Sequence, residues 1–136
     1  MRKINEIIVH CTATQDGKNI KVEDINRWHK ERGWNMIGYH YVVYLDGTIH
    51  QGRSEDQIGA HCLKHNTNSI GVVYVGGLDA NGKPKDTRTE AQKQGLRKLL
   101  TELKHKYPKA AIHSHKDFAP KACPSFDATE EYKDIK

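Results

Sequence analysis

The sequence predicts an α/β fold, a single domain over residues 1–136 with a central mixed β-sheet flanked by helices. Three observations lead there. Short apolar runs rich in β-branched residues alternate with two stretches of helical period. Their order is strand, helix, hairpin, strand, helix, strand, helix, which packs helices onto a mixed sheet. The 136 residues contain no repeat, low-complexity segment or linker and have the size of one domain.

Ile7-Ile8-Val9 is an apolar run bounded by polar residues and ending at His10, a buried strand. Residues 12–19 are polar, carry Asp16-Gly17 and read as a loop. Val22, Ile25 and Trp28 or His29 recur at helical spacing, giving a helix over 22–32 stopped by Gly33. Residues 41–45 are strand formers that meet Asp46-Gly47, a hairpin turn signal, before Thr48-Ile49-His50-Gln51. Residues 54–69 are polar and carry histidines, an irregular or partly helical segment.

Residues 70–75 form a second apolar strand ended by Gly76-Gly77, and residues 79–88 a polar loop. Thr89 and Gln92 make a capping box. Leu96, Leu99, Leu100, Leu103 and Tyr107 continue from it as the apolar stripe of a helix that Pro108 closes. Ala110-Ala111-Ile112-His113 is a short strand, and residues 126–135 a last short helix.

Composition narrows the function classes. Hydrophobic residues are 36% and charged residues 29%, as in a soluble globular chain. No apolar stretch approaches the roughly 18 residues that span a bilayer, so membrane insertion is not expected. The apolar segment near the start is too short for a secretory signal, so synthesis in the cytoplasm is expected. The net charge of +5 suits an anionic polymer, either cell wall or nucleic acid. Helix-turn-helix, zinc-finger and aromatic-basic stacking patterns are all missing, which argues against nucleic acid. Three cysteines, an odd number with no signal segment, point to free thiols or a metal thiolate rather than a disulfide framework.

Nine histidines in this length direct attention to metal chemistry. Zinc takes histidine nitrogen and cysteine thiolate, and a catalytic site uses three protein ligands. His10 ends a strand, His115 follows the last strand, and Cys123 stands eight residues later beside Pro124. The spacing itself is no standard zinc signature, and a hydrogen-bonded His10 at a strand end fits the residues as well. Cys11 points away from His10 and reads as a small core residue, Cys62 as a buried thiol. His29 reads as a packing or surface residue, and Trp28 and Trp34 as core.

Four segments carry a family resemblance. They are Ile8-Val9-His10-Cys11-Thr12-Ala13-Thr14, then Trp28-His29-Lys30-Glu31 with Gly33-Trp34 and Gly38-Tyr39-His40. Asn68-Ser69-Ile70-Gly71 leads to Val75-Gly76-Gly77. The last is Ala119-Pro120-Lys121-Ala122-Cys123-Pro124-Ser125-Phe126-Asp127. Together they resemble the type 2 N-acetylmuramoyl-L-alanine amidases, which include phage amidase-type lysozymes and peptidoglycan recognition proteins, and they are most similar to the phage branch. The resemblance runs in order through nearly the whole chain. One departure is at the front, where the phage enzymes carry several more residues before the first strand.

The resemblance implies that His10, His115 and Cys123 bind Zn2+. His113 is the rival second ligand, but it lies two residues too early relative to Cys123. Tyr39 and Lys121 match the catalytic residues, Lys121 for the oxyanion and Tyr39 for positioning water and helping proton transfer. His61 matches a histidine of the substrate groove, and Thr12 and Asn66 are groove residues by position. The implied reaction is hydrolysis of the amide between N-acetylmuramic acid and L-alanine in peptidoglycan, by a monomer acting as a phage or prophage endolysin. The alternatives are a recycling amidase for soluble muropeptides in the cytoplasm and a recognition module that binds without cutting. Non-catalytic relatives lack the cysteine ligand, so Cys123 favours the enzyme.

Overall fold

The computed structural model describes residues 2–136. Its main sheet has five strands in the order β4-β3-β5-β1-β7. These are β1 (Glu6–Cys11), β3 (Tyr41–Val43), β4 (Ile49–Gln51), β5 (Ser69–Tyr74) and β7 (Ala111–Ser114). β1 pairs in parallel with both β5 and β7, β3 is parallel to β5, and β4 is antiparallel to β3. The mixed sheet and the Asp46-Gly47 hairpin therefore follow the sequence pattern.

The central strands are buried on both faces, which explains their near-continuous apolar runs. Alternation along β1 divides the core. Ile7, Val9 and Cys11 join Ile70, Val72 and Tyr74 on one face. α2 (Glu90–Lys106) lays Leu96, Leu99, Leu100 and Leu103 over them. Val42, Val73 and Val75 face the other way, against Ile25 of α1 (Val22–Glu31) and Ile37. His10 pairs in register with Val73 and so lies on this second face. The capping box of α2 is present, with Thr89 Oγ1 accepting from Gln92 N at 3.0 Å and Gln92 Oε1 from Thr89 N at 2.9 Å.

Two local differences from the sequence pattern, and one segment that it left open between irregular and partly helical, have physical reasons. The polar segment after β1 holds β2 (Thr14–Gln15), which pairs in parallel with β6 (Gly77–Leu78). A two-residue ladder leaves no hydrophobic period to detect. Residues 54–69 contain no helix. Arg2 fastens this segment instead, donating to the carbonyls of Glu55, Thr67 and Ser69 at 2.8, 3.2 and 3.1 Å. The last helix is only α3 (Ala128–Glu131), started by the Asp127 side chain accepting from Glu130 N. Beyond it the chain tightens so that Tyr132 and Ile135 both bury in the core.

The C-terminal segment is held by an ion pair that no periodicity reveals. Arg88, almost wholly buried, binds Asp86 at 2.8 Å and Glu131 at 2.6 Å. Its guanidinium lies 3.5 Å from the centre of the Phe126 ring and donates to Tyr132 Oη at 2.8 Å.

Candidate active site

Strand β1 delivers His10, 1% exposed, to the face opposite the main core. The parallel strand β7 ends at Ser114, and a 3-10 turn over His115–Asp117 presents His115 beside it. The imidazole centres of His10 and His115 are 4.5 Å apart. Cys123 reaches the same point from a pinned loop. Its carbonyl accepts from Lys116 N at 2.8 Å, Tyr74 Oη donates to Pro124 O at 2.6 Å, and Ser125 Oγ donates to Gly77 O at 2.8 Å. Its sulfur accepts from Cys11 N at 3.2 Å and stands 3.9 Å from His10 Nδ1.

One ligand atom from each of His10, His115 and Cys123 lies within 4.8 Å of the others. His113 takes no part and pairs with Asp117 at 3.4 Å. The donor set fits a metal. His115 Nδ1 is buried without a hydrogen-bond partner, an orphan that a metal ion would satisfy. Burial holds His10 well below the ordinary histidine value, with the neighbouring His61, His115 and Lys121 adding to it. Burial and then Lys121 lower His115 as well. Both rings are therefore neutral at neutral pH, the form that binds metal. In the metal-free protein a hydrogen bond with the Cys11 thiol, and then burial, push the Cys123 thiol up.

The cluster borders an open groove of about 670 Å³ through His115, with His10 and Cys123 behind the groove wall. Tyr39, His61, Asn66, His115 and Lys121 all line it. α1 places Tyr39 through its own side chains, because Asn26 Oδ1 accepts from Ile37 N and His29 Nδ1 from Gly38 N, both at 2.9 Å. The Tyr39 ring sits 5.1 Å from that of His10. Burial, then Cys123 and Cys11, raise its phenol, which stays a proton donor at neutral pH. Lys121 is exposed on the loop two residues before Cys123.

The remaining residues divide. Asn66 lines the groove, but its Oδ1 is occupied by His61 N and Cys62 N, both at 2.9 Å. Thr12 is outside the groove lining. The chain turns after β1, and the Thr12 hydroxyl is used there, bonded to Thr14 Oγ1 at 2.7 Å and to Gly76 N at 2.9 Å. Trp34 corrects the core reading. The turn at Gly33 folds it back beside His29, with ring centres 4.5 Å apart, and leaves it 37% exposed in the groove. Arg32, Leu63 and Phe118 also line the groove, and no motif in the sequence marked them.

A groove whose wall carries one imidazole, backed by a second imidazole and a thiol, with a cation at its lip and a phenol beside them, fits a metal-dependent hydrolase. The family model described as N-acetylmuramoyl-L-alanine amidase matches residues 1–126. The chain belongs to the N-acetylmuramoyl-L-alanine amidase family. It is 48% identical over 126 residues to the endolysin of Klebsiella phage KP32, covering 93% of this chain and 83% of that one. It is 50% identical over 121 residues to the endolysin of Escherichia phage T7, covering 89% and 80%. Among solved structures it resembles the N-acetylmuramoyl-L-alanine amidase LysC from Clostridium intestinale URNW, with a TM-score of 0.82 at 31% identity over 96% of this chain and 82% of that one. Its activity is accordingly that of an amidase on peptidoglycan.

Proposed function

We propose that the chain is one zinc-dependent amidase domain that cuts between N-acetylmuramic acid and L-alanine in this groove, as a monomeric endolysin. The observation that carries the metal is the convergence of His10, His115 and Cys123 on one point, with a buried nitrogen of the His115 ring left unpartnered. His10, His115 and Cys123 would hold the ion, and two imidazoles with one thiolate suit zinc. When bound there, zinc would supply Lewis acidity for the amide carbonyl and for water.

The chain's own residues do the rest. The groove walls align the peptide so that its carbonyl meets the cluster, a positioning contribution that removes much of the entropic barrier. Lys121 brings a positive charge to the negative oxygen that develops on the carbonyl. Tyr39 keeps its proton and donates a hydrogen bond toward the reacting water or oxyanion. Asn66 shapes the wall by holding the 61–62 backbone.

An endolysin made in the cytoplasm reaches the wall after membrane breach, and the likeness to phage endolysins supports this setting. Purified protein is assayed for zinc content and for dye release from labelled cell walls, with and without chelator. Stoichiometric zinc and chelator-sensitive release are expected. Turnover of soluble muropeptides with intact walls untouched would replace the endolysin with a recycling amidase. Wall binding without release would leave only a recognition module.

A further inference from the structure

His61 has a second aspect that its place in the groove conceals. It is only 9% exposed, and both of its ring nitrogens are engaged. Nδ1 lies 2.8 Å from His10 Nε2, and Nε2 lies 3.1 Å from Ser69 Oγ. Ser69 is fully buried at the start of β5. The ring is gripped on two sides by glycines. A Cβ at Gly71 would stand 2.6 Å from His61 Cδ2 and Cγ, and a Cβ at Gly59 2.6 Å from Cδ2. The turn below it is tied by Asn66 to the backbone N–H groups of residues 61 and 62. No ring nitrogen of His61 is left for a substrate.

We propose that His61 and Ser69 are positioning residues that commit His10 to bind the metal through Nδ1 and thereby set the site's metal affinity. This inference rests on the metal-site reading above. The proton order follows from the contacts. His10 Nδ1 faces Cys123, so its Nε2 carries the proton and donates to His61 Nδ1. His61 must then hold its own proton on Nε2, where Ser69 Oγ accepts it. One ring orientation and one tautomer of His10 satisfy the whole chain. A ligand histidine whose second nitrogen is fixed in this way loses less freedom on binding and is a better donor.

The test compares His61→Asn with His61→Leu. The two side chains have nearly the same shape, but only Asn places an acceptor oxygen where Nδ1 stood. Zinc affinity is measured on metal-free protein by competition with a chromophoric chelator, with folding followed by circular dichroism. Wild type is expected to bind tightly, Asn to fall within about threefold of it, and Leu to bind roughly 10- to 100-fold more weakly. Asn and Leu binding zinc equally well would overturn the relay. If neither variant folds, Ser69→Ala decides alone. A severalfold loss of zinc affinity supports the relay, and unchanged affinity overturns it. Wild type that binds no zinc would instead refute the metal-site reading itself, so the two failures are distinct.

Discussion

Acid should unfold the metal-free protein well before its carboxylates titrate. Burial pushes His61 down to about 3, with His40 and His115 adding to it, and pushes His29 down to about 4. Burial also holds His10 well below the ordinary value. The unfolded chain returns each to about 6.5, so below that pH the unfolded state binds more protons than the folded one. Stability is thus fully present above pH 6.5 and is lost as pH falls. At pH 5 a histidine that stays neutral in the fold costs RT ln(1 + 10^1.5), about 2 kcal/mol relative to pH 8. His10, His29 and His61 together lose about 6 kcal/mol, against a usual total of about 5–15 kcal/mol. Glu55, Asp86 and Glu131 are all held below their ordinary values, so they do not contribute at this pH. Urea unfolding of chelator-treated protein at pH 8 and pH 5 measures the difference. His29→Asn keeps an acceptor for Gly38 N–H without a titrating ring, and should recover about 2 kcal/mol of the loss. A wild-type difference under about 1 kcal/mol would show that these imidazoles are not buried and neutral, and would refute the account of the site.

The other predictions concern single side chains. Cys123→Ser should lower zinc affinity by at least about 100-fold and abolish wall hydrolysis, read by metal content and dye release. Lys121→Ala should keep its zinc and its melting temperature while kcat falls by about 10²- to 10³-fold; loss of folding would mark a structural role instead. Tyr39→Phe should lower kcat with zinc retained, and wild-type activity should show no tyrosine ionisation up to pH 10, because the phenol is raised. Arg88→Ala should destabilise by about 1–3 kcal/mol in denaturant unfolding, since the Phe126 ring and Tyr132 Oη lose their partner while the half-exposed Asp86 and Glu131 return to water.

What the sequence discloses about this site follows how each residue is held. His10 and His115 stand at or just past strand ends, and a strand of branched apolar residues announces itself by composition, so their positions in the fold were legible. Cys123 could be found only through its motif. Its loop is pinned by Lys116 nearby and by Tyr74 and Gly77, which are distant in sequence and carry no shared period. The same limit hid Arg2 and Arg88, whose bonds cross 53 and 43 residues to Glu55 and Glu131. Thr12 shows the converse: nearness to His10 in the chain suggested the groove, and the fold engages its hydroxyl in the turn after β1. His61 is the sharpest case. The family resemblance implies a groove residue, and it does line the groove. Its 2.8 Å bond to His10 depends on two glycines twelve residues apart leaving a slot for its ring. Local pattern therefore reports which residues sit near the chemistry, while their division of labour is written in hydrogen bonds that only the folded chain brings together.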